Sequence, residues 1–160
     1  MGFFDVRGSL DELPGREWGR VIMTIICADP SPVSLLVLRK KVKKILPDSD
    51  VHICRYADSA IRFAEKNGCD VLITEIDFGR DKGEGINLVK EIKKLLPNVN
   101  IIFATTAPYN EYAALTIPIK FSGYLIKPYL TEDLKKELQE LRFRENQGSI
   151  PMNRPVVSAT

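Results

Sequence analysis

An acid, a second acid, a hydroxyl pair and a lysine each stand at the end of a short apolar run. Asp29 follows Val21 to Cys27, and Glu75 closes Asp70-Val71-Leu72-Ile73-Thr74-Glu75. Thr105-Thr106 follow Ile101-Ile102-Phe103-Ala104, and Lys127 follows Tyr124-Leu125-Ile126. Short apolar runs bounded by residues such as Gly68 and Gly79 predict buried parallel strands. In open α/β sheets ligands bind just outside the carboxyl ends of the strands, so these four groups would converge on one edge. Two carboxylates with a backbone carbonyl suit Mg²⁺, which takes hard oxygen ligands in near-octahedral order. A lysine then neutralises a phosphoryl group as a point charge, and a hydroxyl donates to one of its oxygens. Each part alone is weak evidence; their order at successive strand ends is stronger.

The elements that would position them follow from the periodicity. Residues 1–20 mix Gly, Asp, Glu, Arg and Pro and read as a flexible arm holding Trp18, with Met23 an alternative start. After Asp29, Leu35, Leu38, Val42 and Ile45 share a helical face, and the basic run Arg39 to Lys44 reads as its solvated side. Val51-His52-Ile53-Cys54 is a second strand, and Asp58 or Ser59 caps a helix that Gly68 closes. After strand 70–75, a polar loop with glycines at 79, 83 and 85 leads to a helix with the stripe Ile86, Val89, Ile92 and Leu96. Beyond strand 101–105, Asn110 caps a short helix that stops before Pro118. Strand 124–126 and a helix opened by Thr131, with Leu134, Leu138 and Leu141 on one face, complete the pattern. Five strands alternating with five helices predict a three-layer, doubly wound α/β domain with a five-stranded parallel sheet. The expected organisation is an arm over 1–20, one domain over 21–146 and a loose tail over 147–160.

Composition narrows the class. With 44% hydrophobic and 28% charged residues and a net charge of +2, the chain reads as an ordinary globular protein. That charge gives no argument for nucleic acid, and residues 146–160 are too few and too polar for a DNA-binding module. No run approaches the ~18–20 apolar residues of a membrane span, and the N-terminus lacks the order of a signal peptide. Cys27, Cys54 and Cys69 form no CxxC pair and read as buried reduced thiols. His52, the only histidine, has no ligand-spaced neighbour and reads as a strand-surface residue. A cytoplasmic protein is expected.

Over residues 23–145 the sequence resembles the receiver domain of two-component response regulators. The resemblance is carried by Asn100-Ile101-Ile102-Phe103-Ala104-Thr105 with Glu111-Tyr112-Ala113, and by Gly123-Tyr124-Leu125-Ile126-Lys127-Pro128-Tyr129. The latter is similar to the family's Asp-Tyr-Leu-Leu-Lys-Pro-Phe signature, and the wording is most similar to LytR-type receivers. The resemblance implies a flavodoxin-like, CheY-like fold with a cis Lys127-Pro128 bond. It also implies Mg²⁺ held by Asp29, Glu75 and the backbone carbonyl of Asp77. In the same way Thr105 becomes the switch hydroxyl, Tyr124 the switch aromatic and Lys127 the phosphate-binding lysine. Glu75 falls on the phospho-acceptor position.

Two departures bear on that chemistry. Ala28 stands where the family carries a first acid, so one metal-orienting carboxylate is missing. Glu75 replaces the family's aspartate and adds ~1.5 Å of reach, where about 1 Å of displacement already costs ~10²-fold in a positioned reaction. The loop from Asp77 to Gly85 is also longer than usual and lacks Met-Pro. Mg²⁺ binding is therefore expected to be weak. Asp77 is an alternative acceptor, since strand alternation turns it the same way as Glu75. Glu75 is either a relic without a task or an imitation of aspartyl phosphate reaching toward Thr105 and Lys127.

The leading expectation is a receiver-like signalling domain, not an enzyme, that works without phosphorylation through protein contacts. Its partner would be a sensor kinase, a downstream regulator or a second copy of the chain. The resemblance places partner contacts on Tyr112, Leu115, Tyr124, Lys135 and Gln139. One alternative is Mg²⁺-dependent phosphorelay at Glu75 or Asp77. Another is a phosphotransfer enzyme of the haloacid-dehalogenase kind, since Glu75-Ile76-Asp77 is similar to its Asp-x-Asp motif. That enzyme needs an aspartate first and an acidic pair after a later strand, and neither is present. No membrane or direct nucleic-acid contact is expected.

Overall fold

Apolar runs too short for helices and flanked by turns become strands buried on both faces. The computed structural model describes residues 22–79 and 82–148. Its elements are β1 (Thr24–Ala28), α1 (Pro32–Ile45), β2 (Asp50–Cys54), α2 (Ala57–Asn67) and β3 (Val71–Thr74). There follow α3 (Glu84–Leu95), β4 (Asn100–Thr105), α4 (Tyr109–Thr116), a 3₁₀ turn at Ile117–Ile119, β5 (Gly123–Ile126) and α5 (Thr131–Gly148). The five strands form one parallel sheet in the order β2-β1-β3-β4-β5. That is the doubly wound architecture expected. The strand order reverses between β1 and β3, which is where such sheets open a crevice for ligands.

Alternation splits the core into two layers. Ile25, Cys27, Val71 and Ile73 face Leu35, Leu38 and Val42 of α1 and Leu134, Leu138 and Leu141 of α5. Ile26, Leu72, Ile101 and Phe103 face α2, α3 and Tyr112 of α4. At the amino edge, Asp70 is fully buried and locks β1 to β3. Its carboxylate accepts the Thr24 amide at 2.8 Å, and its own amide donates to the Thr24 carbonyl at 2.8 Å. At the carboxyl edge, α3 starts hard against the end of β3. A Cβ on Gly85 would lie 1.9 Å from the Glu75 carbonyl oxygen, so only glycine admits this approach.

Local details differ from expectation where helix ends are concerned. α2 starts at Ala57 after Tyr56, with no side-chain cap, and Asp58 sits inside the first turn. There its charge still favours the exposed amides of the helix start. Asn110 is likewise inside α4, whose cap position is Pro108. The α-helix does stop before Pro118, at Thr116, and Pro118 enters the first turn of the 3₁₀ segment that follows, where no amide bond is owed. α1 is capped by Ser31, whose hydroxyl accepts the Ser34 amide at 3.2 Å.

α5 runs through Gly148, past the expected edge at 146. The rest of the expected arm and tail, with Trp18, lies outside the described residues. His52 lies exposed on edge strand β2, stacked on Phe63 at 3.8 Å. The three cysteines are buried free thiols, and burial pushes their pKa values up. Among the described residues no helix is long and apolar enough to cross a membrane.

Candidate functional site

The parallel ladder continues one step beyond the strands, and that step places the chemistry. The Asp29 amide donates to the Cys54 carbonyl at 3.0 Å and the Glu75 amide to the Ala28 carbonyl at 2.9 Å. The Lys127 amide donates to the Thr105 carbonyl at 2.8 Å. The ends of β1, β3 and β5 are thereby in phase, and three of the expected residues meet. Lys127 Nζ lies 2.5 Å from Asp29 Oδ2 and 3.0 Å from Glu75 Oε2. The bond between Lys127 and Pro128 is cis.

Both carboxylates are nearly out of solvent, at 4% exposure for Asp29 and 5% for Glu75. Charges so placed must be paired and hydrogen-bonded, and they are. Asp29 Oδ1 accepts the Ser31 amide at 2.8 Å, which also turns the chain into α1. Glu75 Oε1 accepts the Ile76 amide at 2.7 Å and, more weakly, the Asp77 amide at 3.4 Å. Burial works against the charge on Lys127, but the hydrogen bonds and attraction of Asp29 and Glu75 outweigh it and raise its pKa.

The two switch positions meet at a single residue instead of at Glu75. Thr105 Oγ1 accepts the Ala107 amide at 3.1 Å, and the Tyr124 hydroxyl donates to the Ala107 carbonyl at 2.9 Å. Between them they pin the loop that starts α4. Among the described residues no hydrogen bond joins Thr105 to Glu75. Burial, followed by the negative charge of Glu75, pushes the Tyr124 hydroxyl up to about 12.

Asp77 departs from the alternation argument. The chain leaves the strand after Thr74, so a period of two no longer sets its direction. Its Oδ1 accepts the Tyr112 hydroxyl at 2.6 Å and the Gly83 amide at 2.8 Å. The hydrogen bond to Asp77 pushes the Tyr112 hydroxyl up to about 12. This link between α4 and the loop after β3 joins residues 35 apart in sequence, and no local pattern signals it.

Of the expected contact residues, Leu115 is 51% exposed and Gln139 is exposed, while Lys135 and Tyr124 are half-buried. Tyr112, at 8% exposure, lies under that surface instead of on it. Sequence reasoning missed two neighbours. Tyr109 meets Tyr124 edge-on at 5.1 Å, and Ile126 is exposed on edge strand β5.

The donor set suits Mg²⁺ poorly. Two carboxylates are present where β1 carries Ala28 instead of a further acid, and every one of their oxygens already accepts a hydrogen bond. The Lys127 ammonium sits between the two carboxylates, and a cation there would meet its repulsion. Among the described residues no group of three or more His, Cys, Asp and Glu side chains is placed to hold a metal ion.

Comparison with known proteins agrees with this architecture. The model of the response regulator receiver domain matches residues 25–139. Transcriptional regulatory protein RcsB of Salmonella typhi is 31% identical over 121 residues, covering 75% of this chain and 56% of that protein. The chain thus spans about half the length of the curated relatives it matches. Among solved structures, a receiver domain from Clostridium thermocellum superposes with a TM-score of 0.68 at 23% identity, over 79% of this chain and 98% of that one. A CheY-like receiver from Methanospirillum hungatei gives 0.68 at 20% identity, over 80% and 100%. At such identities these structures speak to the fold alone. Family match, sheet order and the strand-end cluster agree, and the chain belongs to the response regulator receiver domains of two-component systems.

Proposed function

We propose that this receiver domain transmits its signal without being phosphorylated, as a binding module and not as an enzyme. The observation that carries the reading is Lys127 held between Asp29 and Glu75, with the second oxygen of Glu75 taken by backbone amides. A carboxylate so engaged is a poor nucleophile, and it already supplies the negative partner that a phosphoryl group would give Lys127. A carboxylate carries less charge and fewer acceptor oxygens than a phosphate, so the imitation is partial. Among the described residues Glu75 makes no hydrogen bond to Thr105, whose hydroxyl oxygen accepts the Ala107 amide instead. Asp77 fares no better as an acceptor, being held by Tyr112 and Gly83. Mg²⁺ plays at most a weak part.

The family works by contact with kinases and downstream effectors. Here the contact surface is the face of α4, β5 and α5, with Leu115, Tyr124, Lys135 and Gln139, and with Tyr109 and Ile126 as added apolar anchors. Tyr112 supports that face from beneath. The partner is a sensor kinase, a downstream regulator or a second copy of the chain, met in the cytoplasm, where buried thiols stay reduced.

Amide correlation spectra of the whole chain test the reading. Addition of acetyl phosphate and Mg²⁺ should leave Thr105, Ala107 and Tyr124 unmoved. A concerted shift of those three would show that the switch still answers to phosphate. Leu115→Ala and Lys135→Glu should weaken binding of an identified partner while changing stability by less than ~0.5 kcal/mol. Unchanged affinity in both would put the contact elsewhere.

A further inference from the structure

Away from the strand-end cluster, a groove of about 430 Å³ runs between the second half of α3 and the stretch from the end of α4 through the 3₁₀ turn. One wall carries Lys90, Lys93 and Lys94, and the other is apolar, with Leu115, Pro118 and Ile119. The lysines stand at i, i+3 and i+4 of one helix, so they share a face and repel one another. Lys93 and Lys94 fall in the last turn of α3, where the helix end favours cations. Lys90 lies a turn earlier, outside the reach of that effect.

The charges here do not cancel. Among the described residues no carboxylate lines the groove. Of its three lysines only Lys94 has an acidic partner, Glu91 at 3.0 Å on the exposed helix surface. Lys120 brings a fourth positive charge from just past the 3₁₀ turn. Burial, followed by that charge, pulls the pKa of Lys93 down. Lys120 is also the one non-glycine among the described residues with a left-handed backbone, at φ 62°. Glycine takes that conformation without strain, so the chain carries a lysine where its backbone favours another residue. A solvated lysine face would account for the helix spacing alone, but not for an apolar wall opposite it.

We propose that this groove seats a short acidic segment of a partner protein, its carboxylates against Lys90, Lys93 and Lys120 and an apolar side chain on Leu115, Pro118 and Ile119. Nucleic acid fits less well. The lining offers no arginine for base edges and no aromatic ring for stacking, and a phosphate backbone would leave the apolar wall bare. The inference stands on the groove and does not depend on how the phosphorylation question is settled. Leu115 borders both this groove and the face of α4, β5 and α5, whereas the lysines of α3 belong to the groove alone.

Amide spectra of the full chain titrated with the peptide acetyl-Asp-Glu-Leu-Asp-Glu-amide test this. Saturable shifts are expected at Lys90, Lys93, Lys94, Leu115 and residues 118–120, weakening as salt is raised. The Asn-Gln-Leu-Asn-Gln counterpart should bind at least about tenfold more weakly. Lys90→Glu with Lys93→Glu should lower affinity for the acidic peptide by about tenfold or more, and the milder Lys90→Gln should lower it too, with the spectrum otherwise unchanged. Lys135→Glu, outside the groove, should change it less than about twofold. Equal binding of the two peptides, or an equal loss in Lys135→Glu, would overturn the proposal. So would a twelve-residue oligothymidylate, or vesicles of phosphatidylglycerol, that shift the same residues at lower concentration than the acidic peptide.

Discussion

Glu75 meets Lys127 at 3.0 Å, and the same ammonium is held by Asp29 at 2.5 Å. Two nearly buried carboxylates from the ends of β1 and β3 thus share one cation from the end of β5. The arrangement closes the carboxyl edge of the sheet in a receiver domain whose acceptor position carries the longer acid.

Removing the shared cation should be costly. Lys127→Met leaves Asp29 and Glu75 buried and uncompensated, and an expected loss of about 3–5 kcal/mol follows from breaking such a cluster. Adding Glu75→Gln to Lys127→Met removes one stranded charge and should recover part of that loss. Urea unfolding measures both; a loss below ~1 kcal/mol in the single variant would mean that solvent screens the cluster.

Gly85 is where α3 touches the site. Gly85→Ala places a methyl 1.9 Å from the Glu75 carbonyl and 2.8 Å from Ile76 Cα, against backbone that has no side-chain freedom to yield. A loss of at least ~2 kcal/mol is expected, with shifted amide resonances at Glu75 and Ile76. Gly79→Ala is the contrasting variant. Nothing lies within 4 Å of its added Cβ, and only the positive φ of 68° is penalised, at about 1 kcal/mol. Equal losses at both positions would contradict the close approach of α3.

High pH should unfold the domain in a defined window. The hydroxyls of Tyr112, Tyr124 and Tyr129 rise from 10.0 to about 12, the first by its hydrogen bond to Asp77 and the others chiefly by burial. Unfolded chains release these protons near the lower value and folded ones near the higher. Between them the unfolded state binds fewer protons, so stability is intact below about pH 10 and falls as pH rises toward about 12. The thiols open the decline earlier, since burial lifts Cys54 from 9.0 to about 11 and Cys27 and Cys69 further. Urea midpoints at about pH 8, 10 and 11 should fall in that order, less steeply in Tyr112→Phe. Midpoints that rise across the window would refute the assignment.

Much of this molecule was legible in its sequence, for reasons that also mark the boundary of legibility. The runs that became β1, β3 and β4 are continuous and apolar because both faces of these strands are covered, and their alternation with helices dictates a parallel sheet. Once the strands are parallel, the meeting of Asp29, Glu75 and Lys127 follows from topology alone. Side-chain directions beyond the strand ends do not follow. Asp77 lies past the last strand residue, and its true partner, Tyr112, is set by tertiary packing. Helix α4 has only eight residues, too few for its stripe to reveal that Tyr112 faces inward. The caps at Asp58 and Asn110 failed because each helix began earlier than its best polar residue. Val33, Leu36 and Val37 fall outside the Leu35, Leu38 and Val42 face and stay exposed, a feature of α1 that its buried stripe alone does not signal.

The central claim, that Glu75 and its neighbours no longer accept phosphate, is tested most directly by intact-mass spectrometry after incubation with acetyl phosphate and Mg²⁺. The wild-type chain should gain no adduct. Ala28→Asp with Glu75→Asp restores the acidic pair and the shorter side chain, and should gain the mass of one phosphoryl group, mapped to position 75 and suppressed by Lys127→Ala. If the wild type takes up phosphoryl as readily as the double variant, the domain is an ordinary phosphorelay receiver and the account is wrong.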